Sequence, residues 1–366
     1  MFVILFIILW ILVIAGMIYL IARFRRFGFI QKAAKKSRVL SWILSFIPLA
    51  AIAAVGVFNV FTATVIALHL IAFWIICDIT AFAIRKISGK KRDRNCEGAA
   101  ALLLTAAYFC YGWYSAHHIY ETDYSFTTAK DIGTDSLRIV QITDSHLGVT
   151  LDGEEFAGQM ERIQKTDPDV VVVTGDFVDD DSERADMVRA CQALGELETE
   201  YGVYFTFGNH DKGYFKSSRD FTEQELREEL EKNDVIILED ETVLIDDNFY
   251  IIGRQDRSET DRMDIAELTG ELDKSKYMIV LDHQPNDYAN EAAANVDLVL
   301  SGHTHGGHIF PAGPIGLLMG ANDRVYGTEH RNNTDFIVSS GISGWAIPFK
   351  TGTISEYAVI DIVTSS

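Results

Sequence analysis

Charge is missing from the first 22 residues of this sequence, and between Val39 and Ile84 the only charged residue is Asp78. A soluble domain does not leave such lengths of chain without charge, so the N-terminal part is not an ordinary globular domain. Cysteine is also scarce. Of four in 366 residues, Cys77, Cys96 and Cys110 accompany the apolar part and Cys191 stands alone in the remainder. That excludes an internal disulfide framework and a thiolate metal cage from the polar part. Basic residues are few beyond Tyr120, nineteen against forty-nine Asp/Glu, or about −30. Such a surface repels polyanions, so nucleic acid is not an expected partner. No internal repeat is present.

Three apolar stretches fill the region 1–120: Met1 to Ala22, Val39 to Ile84 and Gly98 to Tyr120. A spanning helix needs roughly 20 apolar residues, and the middle stretch is about twice that, which predicts four transmembrane helices with a break near Asn59 to Thr62. A cleaved secretory signal is the competing reading of the first stretch, but it lacks a basic flank and its apolar run is too long. Arg23, Arg25, Arg26, Lys32, Lys35, Lys36 and Arg38 follow the first span; Arg85, Lys86, Lys90, Lys91, Arg92 and Arg94 follow the third. Excess Lys/Arg marks the cytoplasmic side. The protein is therefore expected in the cell membrane with its acidic domain extracytoplasmic. Asp78, near Arg85 and Lys86, is expected to reach water or a basic partner at the cytoplasmic boundary, although an ionisable residue in a span is also a functional candidate. His69 has no obvious partner, and His117 and His118 fall at the outer boundary.

Residues 121–136 read as a polar linker, and 137–366 as an α/β domain. LRIVQIT (Leu137 to Thr143), DVVVVT (Asp169 to Thr174) and Val203 to Phe207 read as strands. Glu154 to Thr166, Ser182 to Glu200 and Phe221 to Lys232 read as the helices between and after them. Alternation of this kind predicts a mainly parallel sheet. Seven further strands are expected between Val235 and Ile362, several of them antiparallel or in a second sheet.

The strand ends carry the chemistry. TDSHLG supplies Asp144 and His146; TGDFVDD supplies Asp176, Asp179 and Asp180; FGNHD supplies Asn209, His210 and Asp211. DHQP supplies Asp282 and His283, and SGHTHGGH supplies His303, His305 and His308. Taken singly, each is also an ordinary turn or helix cap. Five such clusters at strand ends, where α/β sheets place their sites, are better explained by a shared metal centre. Carboxylates with imidazoles suit Mn, Fe, Zn or a similar divalent ion. Their number exceeds one ion's needs and fits a two-metal clamp on a phosphoryl group.

DSH, GDFVD, GNHD, HQP and GHTHGG, in this order, resemble the signature of the calcineurin-like metallophosphoesterases. With the basic-flanked spans and GRQD, they are similar to its bacterial membrane-anchored branch. The resemblance implies a two-sheet sandwich flanked by helices (αββα). It implies that Asp144, His146 and His305 hold one metal, Asn209, His283 and His303 the other, and that Asp176 bridges them. It implies in-line attack by a bridging hydroxide, with His210 stabilising the transition state or protonating the leaving oxygen and Asp211 orienting its ring. Some relatives in that branch cleave the pyrophosphate of a UDP-linked acylated glucosamine. That substrate is cytosolic, whereas the charge pattern places this domain outside.

His308 and Lys350 stand where the branch commonly has Gln and Arg; with Arg254 they are the candidate substrate contacts. The expected substrate is a phosphorylated small molecule or a lipid or envelope precursor, cleaved at a phosphodiester or pyrophosphate bond. GLLMG and GWAIPF would either touch acyl chains or pack into the core as hairpins. Two other classes compete: a non-catalytic metal-binding scaffold, which predicts lost ligands, and a sensor or transporter regulated by the esterase-like domain. Oligomeric state is not readable from sequence.

Overall fold

The computed structural model describes residues 2–89, 95–213 and 219–365. Lys90, Lys91, Arg92 and Arg94 of the second basic loop lie outside them. The chain divides into two compact units, Met1–Tyr111 and Gly112–Ser366.

The first unit contains α1 (Phe2–Phe24), α2 (Gly28–Lys36), α3 (Arg38–Phe58), α4 (Val60–Ser88) and most of α5 (Cys96–His117). By length and composition α3 and α4 are long and apolar enough to cross a membrane. They are separated at Asn59, whose Oδ1 accepts a hydrogen bond from Thr62 N at 2.8 Å and so caps the new helix. Leu20, Phe24, Leu49, Leu70 and Trp74 form its buried core. Asp78 pairs with Arg23 and accepts from the Tyr19 hydroxyl at 2.5 Å. Its basic partner is thus Arg23, whereas Arg85 lies 3.6 Å from Glu97. Seven residues of helix separate Asp78 from Arg85 by roughly 10 Å, whereas α1 packs on α4 and brings Arg23 alongside.

The second unit corrects the expected linker. Residues 119–128 are β1 (Ile119–Thr128), paired in parallel along ten residues with β12 (Ser355–Thr364). Every second residue of β1 is exposed, and that polar alternation at a sheet edge is what reads as linker. The remaining elements are β2 (Ser136–Ile142), α6 (Gly153–Gln164), β3 (Val170–Thr174), α7 (Arg184–Gly195), β4 (Val203–Thr206) and α8 (Glu223–Lys232). Then come β5 (Val235–Ile237), β6 (Glu241–Ile245), β7 (Phe249–Gly253), α9 (Ile265–Leu268), β8 (Tyr277–Leu281) and α10 (Tyr288–Ala293). β9 (Leu298–Ser301), α11 (Ala312–Leu318), β10 (Gly327–Arg331) and β11 (Thr334–Val338) lead to β12.

One sheet has the order β1-β12-β2-β3-β4-β5, the other β10-β11-β9-β8-β7-β6. Alternation along the central strands shows why they stack. Leu137, Ile139, Val170 and Val172 point into the core shared with Phe249, Ile279, Leu298 and Ile337 of the second sheet. Val140, Ile142, Val171 and Val173 point the other way, onto α6, α7 and α8. β3 is therefore buried on both faces, which explains its unbroken valine run. On the second sheet's outer face Tyr250, Ile252, Met278 and Val280 pack against α9 and α10. The layers are helix, sheet, sheet, helix, as the resemblance implies. β2, β3 and β4 are mutually parallel, and so are β7, β8 and β9.

Candidate active site

The C-terminal ends of β2, β3, β4, β8 and β9 converge. Among the described residues two nests of ligand atoms form there, Asp144, His146 and His305 in one and Asp176, His283 and His303 in the other, and His146 also meets Asp179 and His210 in a third group. In the first, His305 Nε2 is 3.3 Å from Asp144 Oδ1 and 3.2 Å from His146 Nε2. In the second, His283 Nε2 is 3.1 Å from Asp176 Oδ2. The same Oδ2 lies 3.5 Å from His146 Nε2, so Asp176 faces both nests. Its other oxygen accepts from His210 N at 2.8 Å. Asn209 stands on that loop, one residue before His210, with its amide oxygen buried.

The backbone is bent to bring these groups inward. Asp144, His146, Asp176, His303 and His305 all have positive φ, between 36° and 67°. Asp and His tolerate this region better than bulkier residues, and several such residues in one place mark a functional site. Gly208 has a steric reason to lack a side chain, since an added Cβ would lie 2.3 Å from Asp176 Oδ1.

Hydrogen bonds assign the imidazole protons and test whether cations fit. His283 Nδ1 is 2.8 Å from the Thr174 carbonyl oxygen and must donate to it, leaving Nε2 to present its lone pair to the Asp176 carboxylate. His146 Nδ1 donates to Asp179 Oδ2 at 3.1 Å, so its Nε2 lone pair faces Asp176 and His305. His305 Nδ1 faces the Ser343 carbonyl at 3.3 Å, which again turns an Nε2 lone pair inward. His303 Nδ1 is buried without a hydrogen bond. Converging lone pairs and carboxylates repel one another unless cations lie between them, and outer hydrogen bonds of this kind are how proteins orient metal-binding histidines. The donor set fits divalent metal ions. Without metal, a proton takes that place at His283: burial opposes it, but the Asp176 charge holds the imidazole well above its usual range. Burial and the His283 charge push His303 down to about 4.

The ring-orienting role falls to a different carboxylate from the one expected. His210 Nδ1 donates to Asp179 Oδ1 at 3.0 Å. Asp211 instead accepts four backbone N–H bonds, from Asp176 and Gly208 on Oδ2 and from Phe177 and Val178 on Oδ1, at 2.7 to 3.0 Å. A carboxylate offers about four lone-pair sites, so Asp211 is saturated as a brace between the GDFVD and GNHD loops. Burial, followed by the Asp176 charge, raises it to about 6. Asp179 serves two rings, one oxygen to His146 and the other to His210. Burial opposes ionisation of Asp179, yet those hydrogen bonds hold its carboxyl well below the usual range. Against the same desolvation, Asp179 and Asp176 lift His210 to about 9.

Two nominated substrate contacts are structural. Arg254 is buried, and its Nη1 lies 2.8 Å from Asp282, 2.9 Å from Asp287 and 3.2 Å from Glu291. Lys350 is fully buried, and Nζ donates to the carbonyls of Ser340, Gly341 and Ser343 at 2.5, 3.0 and 3.1 Å. Burial lowers its ammonium to about 7. Three carbonyl acceptors take all three N–H donors of an ammonium, leaving none for a phosphate. His308 does lie beside the nests, its ring centroid 5.3 Å from that of His305, with Nε2 buried and without a hydrogen bond. Burial, then the Lys350 charge, brings it down to about 3. Trp345, inside the GWAIPF run but not singled out in sequence, lies 5.6 Å from the His210 ring and is 42% exposed.

A family model described as calcineurin-like phosphoesterase matches residues 137–307. The uncharacterized metallophosphoesterase YkoQ of Bacillus subtilis is 32% identical over 229 residues, 60% of this chain and 81% of that one. A metallophosphoesterase of Aquifex aeolicus is 33% identical over 250 residues, 65% of this chain and 90% of its own length. A Bos taurus protein named transmembrane protein with metallophosphoesterase domain is 30% identical over 237 residues, 60% of this chain and 52% of the bovine one. The two-sheet fold and paired ligand nests, together with these relatives, define a metal-dependent phosphoesterase. The chain belongs to the calcineurin-like metallophosphoesterases.

Proposed function

We propose that this protein is an integral membrane phosphohydrolase. Four apolar helices within residues 1–120 anchor it, and the acidic domain works outside the cytoplasm on a phosphodiester or pyrophosphate bond of a phosphorylated small molecule or lipid. The observation that carries the reading is the single carboxylate of Asp176 set between two imidazole nests. Asp144, His146 and His305 would hold one divalent ion, Asn209, His283 and His303 would hold the second, and Asp176 would contribute to both. Such a pair of ions, when bound, supplies an activated water for in-line attack and neutralises charge on the phosphoryl oxygens. His210, with Nδ1–H committed to Asp179, is oriented to give a proton from Nε2 to the leaving oxygen. Asp179 acts through that ring as a positioning residue.

The test is hydrolysis of bis-p-nitrophenyl phosphate and p-nitrophenyl phosphate by the full-length protein in detergent. It is metal-stripped, then supplied with Mn, Zn, Fe, Co or Mg, beside Asp176→Asn and His210→Ala. Metal-dependent turnover lost in both variants is the expected result. Two bound ions without turnover on any substrate would leave a scaffold. Labelling of Ser125→Cys by an impermeant thiol reagent on intact cells tests the orientation; reaction only after permeabilisation would reverse it.

A further inference from the structure

GLLMG neither forms a hairpin nor joins the core. Ile315, Leu317, Leu318 and Met319, on and just after α11, are all exposed, with Leu318 89% exposed and Met319 66% exposed. A cluster of apolar side chains projecting from an otherwise acidic domain marks an interaction surface. α11 is fixed to the metal-binding loop: a Cβ added at Gly307, whose φ is +84°, would lie 2.7 Å from the Cα of Gly313. The prong therefore packs directly on the loop that carries His303 and His305.

Hydrogen bonds inside the second unit tie the segment that carries this prong to the end of α5. The unit begins with the last residues of α5, and the Gly112 carbonyl accepts from Lys350 N at 2.9 Å. The next residues, Thr351 and Gly352, both donate their N–H to the His308 carbonyl at 2.8 Å, and Thr351 Oγ1 accepts from Phe310 N at 3.1 Å. Two short strides of chain thus join the end of α5 to the segment that enters α11. Trp113 and Tyr114, beside Gly112, are half exposed, as aromatic residues at a membrane–water boundary are.

We propose that α11 and Met319 dip into the outer leaflet of the bilayer and hold the active-site mouth against the lipid surface, so that the phosphate presented to the site belongs to a head group of an amphiphile. The inference rests on α5 being a membrane span. Trp345, exposed beside His210, then lies at the mouth with an apolar face for the first part of the lipid tail.

The test uses the full-length protein with Cys77, Cys96 and Cys110 replaced by alanine. An environment-sensitive NBD label is placed at Leu318→Cys, at Tyr114→Cys or at Glu228→Cys, and the protein is reconstituted into phosphatidylethanolamine/phosphatidylglycerol vesicles. The label at 318 is expected to emit to the blue of the label at 228, to be quenched by nitroxide-bearing lipids and to be shielded from iodide. Quenching of the 318 label by iodide and not by nitroxide lipid overturns the proposal. Protection of that label from both quenchers, with energy transfer between differently labelled copies, overturns it in favour of a contact between chains. Loss of lipid quenching at 114 as well locates the failure in the spanning reading, while a lipid-quenched 114 beside a water-exposed 318 rejects the docking alone.

Discussion

Replacing Asp179 with Asn removes one oxygen and the charge while keeping the size. Asp179 accepts from His210 Nδ1 at 3.0 Å and from His146 Nδ1 at 3.1 Å, each on a different oxygen. An asparagine has one acceptor oxygen, so its NH2 must face one of the two Nδ1–H groups. One ring then turns or changes tautomer. A hydrogen bond to a charged partner contributes about 1.5–3 kcal/mol, and loss of an outer partner of a metal-binding histidine costs about 10- to 100-fold in affinity or activity. The two figures agree, since about 1.4 kcal/mol is tenfold. Asp179→Asn is therefore expected to lower kcat/KM on bis-p-nitrophenyl phosphate about 10- to 100-fold and to weaken metal retention in the nest containing His146. In metal-free protein it should also bring the His210 titration, followed by NMR, down from about 9. Asp211→Asn breaks the brace instead, and is expected to lower the urea midpoint. Wild-type kcat/KM and an unmoved His210 titration in Asp179→Asn would refute the assignment, most directly if Asp211→Asn shifted that titration.

Arg254→Met removes the cation facing Asp287 and Glu291, while Asp282 keeps Arg262, and breaking a buried ion pair costs about 3–5 kcal/mol. Urea unfolding should show that loss with KM for the soluble diester unchanged; a raised KM at full stability would restore Arg254 as a substrate contact. Lys350→Met should cost about 1–3 kcal/mol for each carbonyl left unsatisfied in the interior, read as a lowered thermal midpoint; an unchanged midpoint would count against its bracing role. In metal-stripped protein the folded His210 value of about 9 lies above the unfolded value near 6.5. Its contribution is thus complete below about pH 6.5 and lost as pH rises through about 9. Urea midpoints measured across that interval should fall more in wild type than in Asp179→Asn, and parallel curves would contradict it.

Much of the fold was legible because its signals are local. β2, β3 and β4 are short β-branched runs, and the helices between them carry 3.6-residue periodicity. β1 was missed because an edge strand with one solvent face alternates like a polar linker. α11 was missed because GLLMG is too short and too apolar for periodicity to separate a projecting turn from a buried hairpin. Asp144, His146, Asp176, His283, His303 and His305 were visible at strand ends, and folding brings them together in the two nests. Their secondary partners were not visible: DFVD places Asp179 three residues past Asp176, while HD places Asp211 next to His210, and adjacency in sequence favours the wrong carboxylate.

By itself the sequence determined the apolar first part, the layered α/β second part and the supply of carboxylates and imidazoles at strand ends, because these follow from hydrophobic period and run length. Only the tertiary structure decided which groups meet. His146 and His305 are 159 residues apart, His210 and Asp179 are 31 apart, and the buried fates of Arg254 and Lys350 depend on carboxylates and carbonyls that folding brings to them. A charged side chain reads the same whether it faces a substrate or a buried partner; burial and distance, which exist only in the folded chain, separate the two.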